Sequence, residues 1–350
     1  MTIKVLVVDD SVVIRKILTD VINRDPDLEV VGTASNGVIA LEKLPLLKPD
    51  VLTLDIEMPE MDGLETLQQI REDDDRLPII MFSTLSTKGG EATLDALCSG
   101  ATDYVTKPAN VGKAKESFDQ VSNELLPLLK FFGVQGHGKR PRKSAPVNTR
   151  VETRHTIRAV VVGSSTGGPL ALETLLCAPS KPFSVPMLIV QHMPPKFTRT
   201  MAERLDKKCA SQVVEAEHGV VIEPGTVYIA PGGRHMVVRE WAGKERIELH
   251  DGPHVNSCRP AVDVLFESST KIYGADQLGV ILTGMGYDGR AGSRILAQAG
   301  GDVFAQDEAT SVVWGMPGAV VEDETACRVL PIEQMAAAIV QRLPATAGSA

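Results

Sequence analysis

Two doubly wound α/β domains, each built on a parallel sheet and joined by a linker, form the fold class that this sequence predicts. Three observations predict it. Between residues 3 and 130, strand-length apolar runs alternate five times with helix-period stretches. From residue 133 to 156 the rhythm stops, and Gly, Pro, Ser and basic residues take over. From residue 157 to about 345 the alternation resumes. A chain of 350 residues also exceeds what one hydrophobic core ordinarily supports, so two cores are expected.

In the first stretch, strands are expected near 3–8, 28–34, 51–55, 78–82 and 102–106, with helices near 12–23, 37–47, 63–71, 89–98 and 113–130. Functional residues of a doubly wound sheet gather at the carboxyl ends of its strands. Asp9, Asp10, Asp55, Ser83 and Lys107 all fall there. The break that follows holds Gly133-Val-Gln-Gly-His-Gly138 and the basic run Lys139-Arg-Pro-Arg-Lys143. It reads as a solvated linker rather than a nucleic-acid surface. In the last stretch, strands are expected at 158–162, 186–191, 226–230 and 278–282, and helices near 169–177, 197–208, 261–271, 288–299 and 332–343. The polar middle, 219–256, alternates at Met236-Val-Val-Arg239 and Arg246-Ile-Glu-Leu249, which suggests an inserted hairpin. The C-terminal residues 344–350 read as a frayed tail.

Composition narrows the function classes. Net charge is −9, which argues against a general nucleic-acid surface and gives no nucleic-acid partner. The five cysteines, Cys98, Cys177, Cys209, Cys258 and Cys327, occur singly and without a CxxC, so reduced thiols and a cytoplasmic location are expected. Met1-Thr-Ile-Lys4 leads straight into a strand pattern and does not read as a signal peptide. No apolar run approaches about 20 residues, so no direct membrane insertion is expected.

Three acids and a lysine at strand ends make a pocket for accepting a phosphoryl group. Such an acceptor needs a hard divalent cation, and Mg²⁺ takes oxygen ligands. Asp10 and Asp55 supply carboxylates, Asp9 supports them, and the Glu57 carbonyl is within reach. Lys107 offers a cation to the phosphoryl oxygens and Ser83 a hydroxyl. Val7-Val-Asp9-Asp10-Ser11, Leu54-Asp55-Ile-Glu-Met-Pro59, Met61-Asp-Gly63, Ser83 and Tyr104 with Lys107-Pro108 resemble the receiver domain of two-component response regulators. The resemblance implies Asp55 as phosphoacceptor, Ser83 as switch hydroxyl, Tyr104 as the aromatic that follows it, and a histidine kinase as donor.

The second half carries a different kit. Val160-Val-Val-Gly163-Ser164-Ser165-Thr166-Gly167-Gly168-Pro169 runs from a strand into a helix. It fits a G-x-S-x-G nucleophile turn centred on Ser165, but taken alone it reads more readily as a Gly-rich phosphate-binding turn. A serine nucleophile needs a base. His137 and His155 lie in the linker, and His218, His235, His250 and His254 in the polar middle. His192 alone follows an apolar run directly, at a strand end. Asp288, just past the strand 278–282, is the candidate carboxylate to orient it. The order Ser165, His192, Asp288 matches neither the α/β-hydrolase nor the chymotrypsin nor the subtilisin order, but a triad is defined by geometry.

Gly163-Ser-Ser-Thr-Gly-Gly168, Val190-Gln-His192-Met-Pro194, Leu282-Thr-Gly-Met-Gly-Tyr-Asp288-Gly289 and Ala305-Gln-Asp-Glu-Ala-Thr-Ser-Val-Val-Trp-Gly-Met-Pro317 resemble the catalytic domain of the chemotaxis protein-glutamate methylesterases, which are also glutamine deamidases. In that family Ala precedes the nucleophile where this chain has Ser164; aligning on Thr166-Gly167-Gly168 favours Ser165. The resemblance implies Thr166 near the nucleophile and the Met285 backbone N–H in an oxyanion hole. It also implies methyl-accepting chemotaxis receptors as substrate, phosphorylation as activator, Mg²⁺ for the receiver alone and no cofactor for the ester chemistry. The expected boundaries are 1–128 for the receiver, 129–156 for the linker and 157–345 for the catalytic domain. A DNA-binding output domain is the first rival, and this output is too long, acidic and strand-rich for it. A phosphorylation-gated binding module is the second, and it leaves the combination of Ser165, His192 and Asp288 unexplained.

Overall fold

A computed structural model describes residues 2–74, 76–84, 87–107, 114–135, 147–148 and 155–344. The chain divides into two compact units, Met1–Arg140 and Pro141–Ala350. The basic run 139–143 and the tail beyond residue 344 lie outside the described residues.

The first unit alternates β1 (Ile3–Val8), α1 (Val12–Ile22), β2 (Leu28–Ala34), α2 (Gly37–Leu47), β3 (Val51–Asp55), α3 (Gly63–Asp73), β4 (Ile79–Ser83), α4 (Thr87–Cys98), β5 (Asp103–Thr106) and α5 (Ala114–Gln135). The strands form one parallel sheet in the order β2-β1-β3-β4-β5. β1, β3 and β4 read as near-continuous apolar runs because helices cover both faces; all five residues of β3 and of β4 are buried. Helix starts follow local capping. Ser11 Oγ accepts from the Ile14 N–H, and Asp62 and Glu65 close a capping box on α3. α5 runs on to Gln135, past the expected boundary at residue 128, and Leu125, Leu129 and Phe132 give it a buried stripe at helical spacing.

The second unit holds β6 (Val147–Asn148), β7 (Ala159–Ser164), α6 (Gly168–Cys177), β8 (Met187–Gln191), α7 (Phe197–Lys208), β9 (Gln212–Glu215), β10 (Thr226–Ile229), β11 (His235–Trp241), β12 (Lys244–His250), α8 (Val262–Tyr273), β13 (Gln277–Ile281), α9 (Arg290–Gln298), β14 (Asp302–Gln306), α10 (Met316–Glu322), β15 (Arg328–Leu330) and α11 (Ile332–Arg342). Its main sheet has the order β6-β15-β14-β13-β7-β8-β10-β9 and is parallel except at the edge, where β6 runs against β15. β11 and β12 form the expected hairpin as a separate two-stranded sheet. The hairpin leans on α8, whose Ser268 Oγ accepts from the Val238 N–H. After the edge strand β6, the chain enters the middle of the sheet at β7 and winds first to β8 on one side, then to β13 on the other. The carboxyl ends of β7, β8 and β13 therefore frame a topological switch point, where such sheets open a crevice.

The expectation that all five cysteines are free thiols is corrected at two of them. Cys177, at the end of α6, and Cys209, just after α7, form a disulfide, and Cys98, Cys258 and Cys327 remain free. Packing of α6 beside α7 brings together two residues that no local spacing connects. Among the described residues no helix is long and apolar enough to cross a membrane.

Candidate active site and acidic pocket

In the first unit, β1, β3, β4 and β5 deliver Asp9, Asp55, Ser83 and Lys107 to one edge. Lys107 Nζ lies 2.9 Å from Asp9 Oδ2 and 2.7 Å from Asp55 Oδ2. One carboxylate oxygen from each of Asp9, Asp10 and Asp55 lies within 4.8 Å of the others. Asp9 and Asp55 are buried and Asp10 is exposed. Burial first, and the Asp9 charge second, push the Asp55 carboxyl up to about 6 against the pull of Lys107. Burial likewise raises Asp9. Burial alone would lower the Lys107 ammonium, but the two carboxylates outweigh it and raise it. Asp9 Oδ2 and Asp55 Oδ2 are buried oxygens whose one described partner is that ammonium. Three converging carboxylates against one lysine leave surplus negative charge, and an all-oxygen set of this kind fits a hard divalent cation. The Glu57 side chain is exposed.

Ser83 is buried and its hydroxyl is turned toward α4. It donates to the Gly89 carbonyl at 3.2 Å and accepts from Thr93 Oγ1 at 2.6 Å. Tyr104 is half-buried and packs against the apolar core of the sheet.

The raised Asp55 carboxyl has a stability consequence. Its folded value lies above the ordinary 3.8, so the ionised form costs stability above about pH 6, and that cost vanishes below about pH 4. In metal-free buffer at pH 7.5, Asp55→Asn is expected to stabilise the receiver transition of the full chain by about 1–3 kcal/mol. No gain is expected at pH 4, and added Mg²⁺ should narrow the difference. Thermal melts at the two pH values check this; equal melting at pH 7.5 would mean that Lys107 already offsets the buried charge.

In the second unit, β7 ends at Ser164 and Gly167 turns the chain at φ 74° into α6. That left-handed backbone is open to glycine at no steric cost. Ser164 is fully buried and donates its hydroxyl to Gln191 Oε1 at 2.7 Å. Gln191 Nε2 in turn donates to the Ser165 carbonyl at 2.9 Å. The Ser165 N–H is tied to the Thr283 carbonyl at 3.0 Å, and its own carbonyl accepts from Gly168 at 2.7 Å. The Ser165 backbone is thus held on three sides, while its hydroxyl makes no hydrogen bond among the described residues. Thr283 Oγ1 donates to the carbonyl of the buried Thr166 at 2.9 Å. Gly284 packs so closely that a Cβ there would lie 2.8 Å from Ser165 Cβ, so only glycine lets this loop approach. The next residue, Met285, is half-buried, and its N–H donates no hydrogen bond among the described residues.

β8 delivers His192, whose N–H donates to the Ser164 carbonyl at 3.1 Å. Its Nε2 lies 2.9 Å from Asp288 Oδ2, and its Nδ1 lies 3.6 Å from Cys258 Sγ. Of the other described histidines, His254 is exposed and four are engaged elsewhere. His218 and His250 accept backbone N–H groups of the hairpin region, His235 Nε2 meets the Pro253 carbonyl, and His155 lies 3.5 Å from Asp276. Asp288 is buried and heavily bonded. Oδ2 accepts from the Val262 N–H at 2.6 Å, and Oδ1 from Asn256 Nδ2 at 2.8 Å, Gly289 N–H at 3.1 Å and Asp263 N–H at 3.2 Å. Val262 and Asp263 open α8, whose own N-cap residue, Ala261, supplies no side-chain bond. Asp288 caps that helix from outside it. Burial alone would raise the Asp288 carboxyl, but His192 and these donors hold it below the ordinary carboxylate range. Burial opposes charge on His192 as well, yet Asp288 and Cys258 outweigh it and raise the imidazole to about 9.

The structure therefore brings Ser165, His192, Asp288, Thr166 and Met285 to one sheet edge. Gln191, Asn256 and Cys258 escaped the sequence reading. Gln191 was visible only as the neighbour of His192. Asn256 and Cys258 lie in a short turn without hydrophobic period, closed by paired bonds between Val255 and Cys258 at 3.1 and 2.8 Å.

Comparison with known proteins adds an independent line. A family model described as CheB methylesterase matches residues 160–339, and one described as response regulator receiver domain matches residues 5–119. A protein-glutamate methylesterase/protein-glutamine glutaminase of a Nocardioides species is 51% identical over 350 residues, covering 97% of this chain and 95% of that protein. A protein of the same description from Trichodesmium erythraeum is 44% identical over 347 residues, covering 97% of this chain and 99% of its own. Among solved structures, the Thermotoga maritima CheB methylesterase catalytic domain matches with a TM-score of 0.52 and 41% identity, covering 53% of this chain and 98% of that one.

Proposed function

The chain belongs to the CheB methylesterase family, and from that premise we propose that it is a phosphorylation-activated protein-glutamate methylesterase and protein-glutamine glutaminase. Its proposed substrates are methyl-accepting chemotaxis receptors, and a histidine kinase is its phosphodonor. The observation that carries the chemistry is the 2.9 Å bond between His192 Nε2 and the buried Asp288, at the sheet edge where the Ser165 turn stands.

Ser165 Oγ attacks the γ-carbonyl carbon of a glutamyl methyl ester. Its proton passes to His192 Nδ1, the ring nitrogen that does not face Asp288 and that lies 3.6 Å from Cys258 Sγ. The carbonyl oxygen becomes an oxyanion facing the unspent Met285 N–H, and one such donor is worth about 3 kcal/mol of barrier. Thr166 lines the same turn. The ester C–O bond then breaks, and methoxide takes the proton from His192 and leaves as methanol. Water attacks the acyl-enzyme with His192 again as base, releasing the glutamate carboxylate and restoring Ser165. A glutamine side chain follows the same course with ammonia as leaving group. Apart from water, the ester chemistry calls on no cofactor. Each turnover leaves a new negative charge on the receptor.

In the receiver, the Asp55 carboxylate accepts the phosphoryl group and Lys107 meets its oxygens. Asp9, Asp10, Asp55 and the Glu57 carbonyl would hold Mg²⁺, which when bound spreads the charge of the transferring group. Phosphorylation turns the Asp55 carboxylate into an acyl phosphate of about −2 charge, a net gain of about one negative charge. Ser83 then exchanges the Gly89 carbonyl for a phosphoryl oxygen, and Tyr104 follows it.

The test is methanol release from methylated receptor cytoplasmic fragments, with and without Mg²⁺ and a small phosphodonor. Wild-type release should rise with the phosphodonor, and Asp55→Asn should stay at the basal rate. Equal rates with and without phosphodonor would reject the switch; no release under any condition would reject the substrate.

A further inference from the structure

We propose that His192 Nδ1 and Cys258 Sγ form a binding site for a borderline-soft divalent cation, zinc above all, and that filling it shuts the esterase off. The two donor atoms lie 3.6 Å apart. Tetrahedral zinc takes sulfur at about 2.3 Å and imidazole nitrogen at about 2.0–2.1 Å, which sets a sulfur-to-nitrogen edge of about 3.5–3.6 Å. The pair therefore needs little rearrangement to hold the ion.

The surroundings match what a metal-bound imidazole needs. A ligating histidine characteristically gives its other ring nitrogen to a carboxylate, which fixes the ring and strengthens the donor. Here Asp288 holds Nε2 at 2.9 Å and is itself fixed by Val262, Asp263, Gly289 and Asn256. Cys258 is placed with equal firmness. It closes the Val255–Cys258 turn through two backbone bonds, and Asn256 in that turn donates to both Asp288 and Asp263. One carboxylate thus anchors the metal-binding ring and also the turn that carries the thiol. Cys258 is free and half-buried, and water would fill the ion's remaining positions. On binding, the thiol gives its proton to solvent and the thiolate ligates. The nitrogen that ligates is the one proposed to take the Ser165 proton, so metal and catalysis exclude each other.

The chain then sorts two metals by donor chemistry. The all-oxygen set of Asp9, Asp10 and Asp55 suits a hard ion, and the sulfur–nitrogen pair suits zinc. The inhibitory consequence rests on His192 being the base. The site itself does not.

Cobalt(II) separates these two claims, because a thiolate–cobalt bond has its own charge-transfer absorption. The full-length protein, with Mg²⁺ present, is titrated with cobalt(II) by absorption, and with zinc by basal methanol release. We expect one equivalent of the thiolate band in wild type and none in Cys258→Ser or in Cys258→Ala, which has no donor atom; circular dichroism confirms that both variants are folded. Zinc should abolish wild-type release, a chelator should restore it, and the residual activity of either variant should need at least about tenfold more zinc. A band that persists in both folded variants, or no band in wild type, overturns the site. A band that depends on Cys258, with turnover indifferent to zinc, keeps the site and rejects His192 as the base.

Discussion

Replacing Ser165 with alanine is expected to lower methanol release at least about 10⁴-fold, while replacing Ser164 leaves it within about tenfold of wild type. The two serines are neighbours in one turn, and the structure gives their hydroxyls opposite employment. Ser164 is fully buried and its hydroxyl is committed to Gln191 at 2.7 Å. Removing it orphans a buried amide oxygen, which costs about 1–3 kcal/mol of stability. The Ser165 hydroxyl makes no hydrogen bond among the described residues, so Ser165→Ala should melt like wild type. The pair is checked by single-turnover methanol release alongside thermal melts. Activity that survives in Ser165→Ala and vanishes in a folded Ser164→Ala would move the nucleophile by one residue.

Asp288→Asn is expected to lower the rate about 10⁴-fold and also to shift its pH dependence. Protonated His192 cannot take the Ser165 proton, so kcat/KM should rise with pH up to the histidine's own value. Asp288 and Cys258 raise that value to about 9 from the ordinary 6.5. The wild-type rise should therefore be centred above 6.5, and loss of the carboxylate should move its centre downward. The amide also turns an N–H toward a backbone donor that Asp288 now accepts, either Val262 or Asp263. A stability loss of about 1–3 kcal/mol should accompany the kinetic one. A pH–rate profile of the folded variant separates the effects, and an unmoved midpoint would show that Asp288 does not set the charge of His192.

Much of this was legible in the sequence because each proposed catalytic side chain sits just beyond an apolar run. Ser165 follows β7, His192 follows β8, and Asp288 lies one turn past β13. In a doubly wound sheet that position alone brings distant residues to one edge. The acidic pocket was legible for the same reason. What stayed hidden was short or lacked a period. β14 is fully buried but has only three apolar residues in a row, β15 is three residues long, β9 is only partly buried, and α10 has seven residues. Such segments are recruited by neighbours already in place rather than by their own pattern. Asn256 and Cys258 sit in a turn whose position is set by tertiary packing, and the pairing of Cys177 with Cys209 depends on α6 lying beside α7. Ser83 was placed correctly at its strand end, but its bond toward α4 is a rotamer choice that sequence does not encode.

The capping of α8 by Asp288 makes the esterase an auditor of its own folding. The helix cannot satisfy its first N–H groups from its own sequence, because Ala261 has nothing to offer. It must wait for a carboxylate that arrives 26 residues after Val262 and 25 after Asp263, on the far side of another strand. The same carboxylate reaches back 96 residues to His192. A chain in which these distant segments have not met holds neither the bond that orients His192 nor a finished helix beneath its hairpin. On the proposed mechanism, a partly assembled catalytic domain would therefore be silent, and methyl ester would be cleaved only by molecules whose assembly is complete.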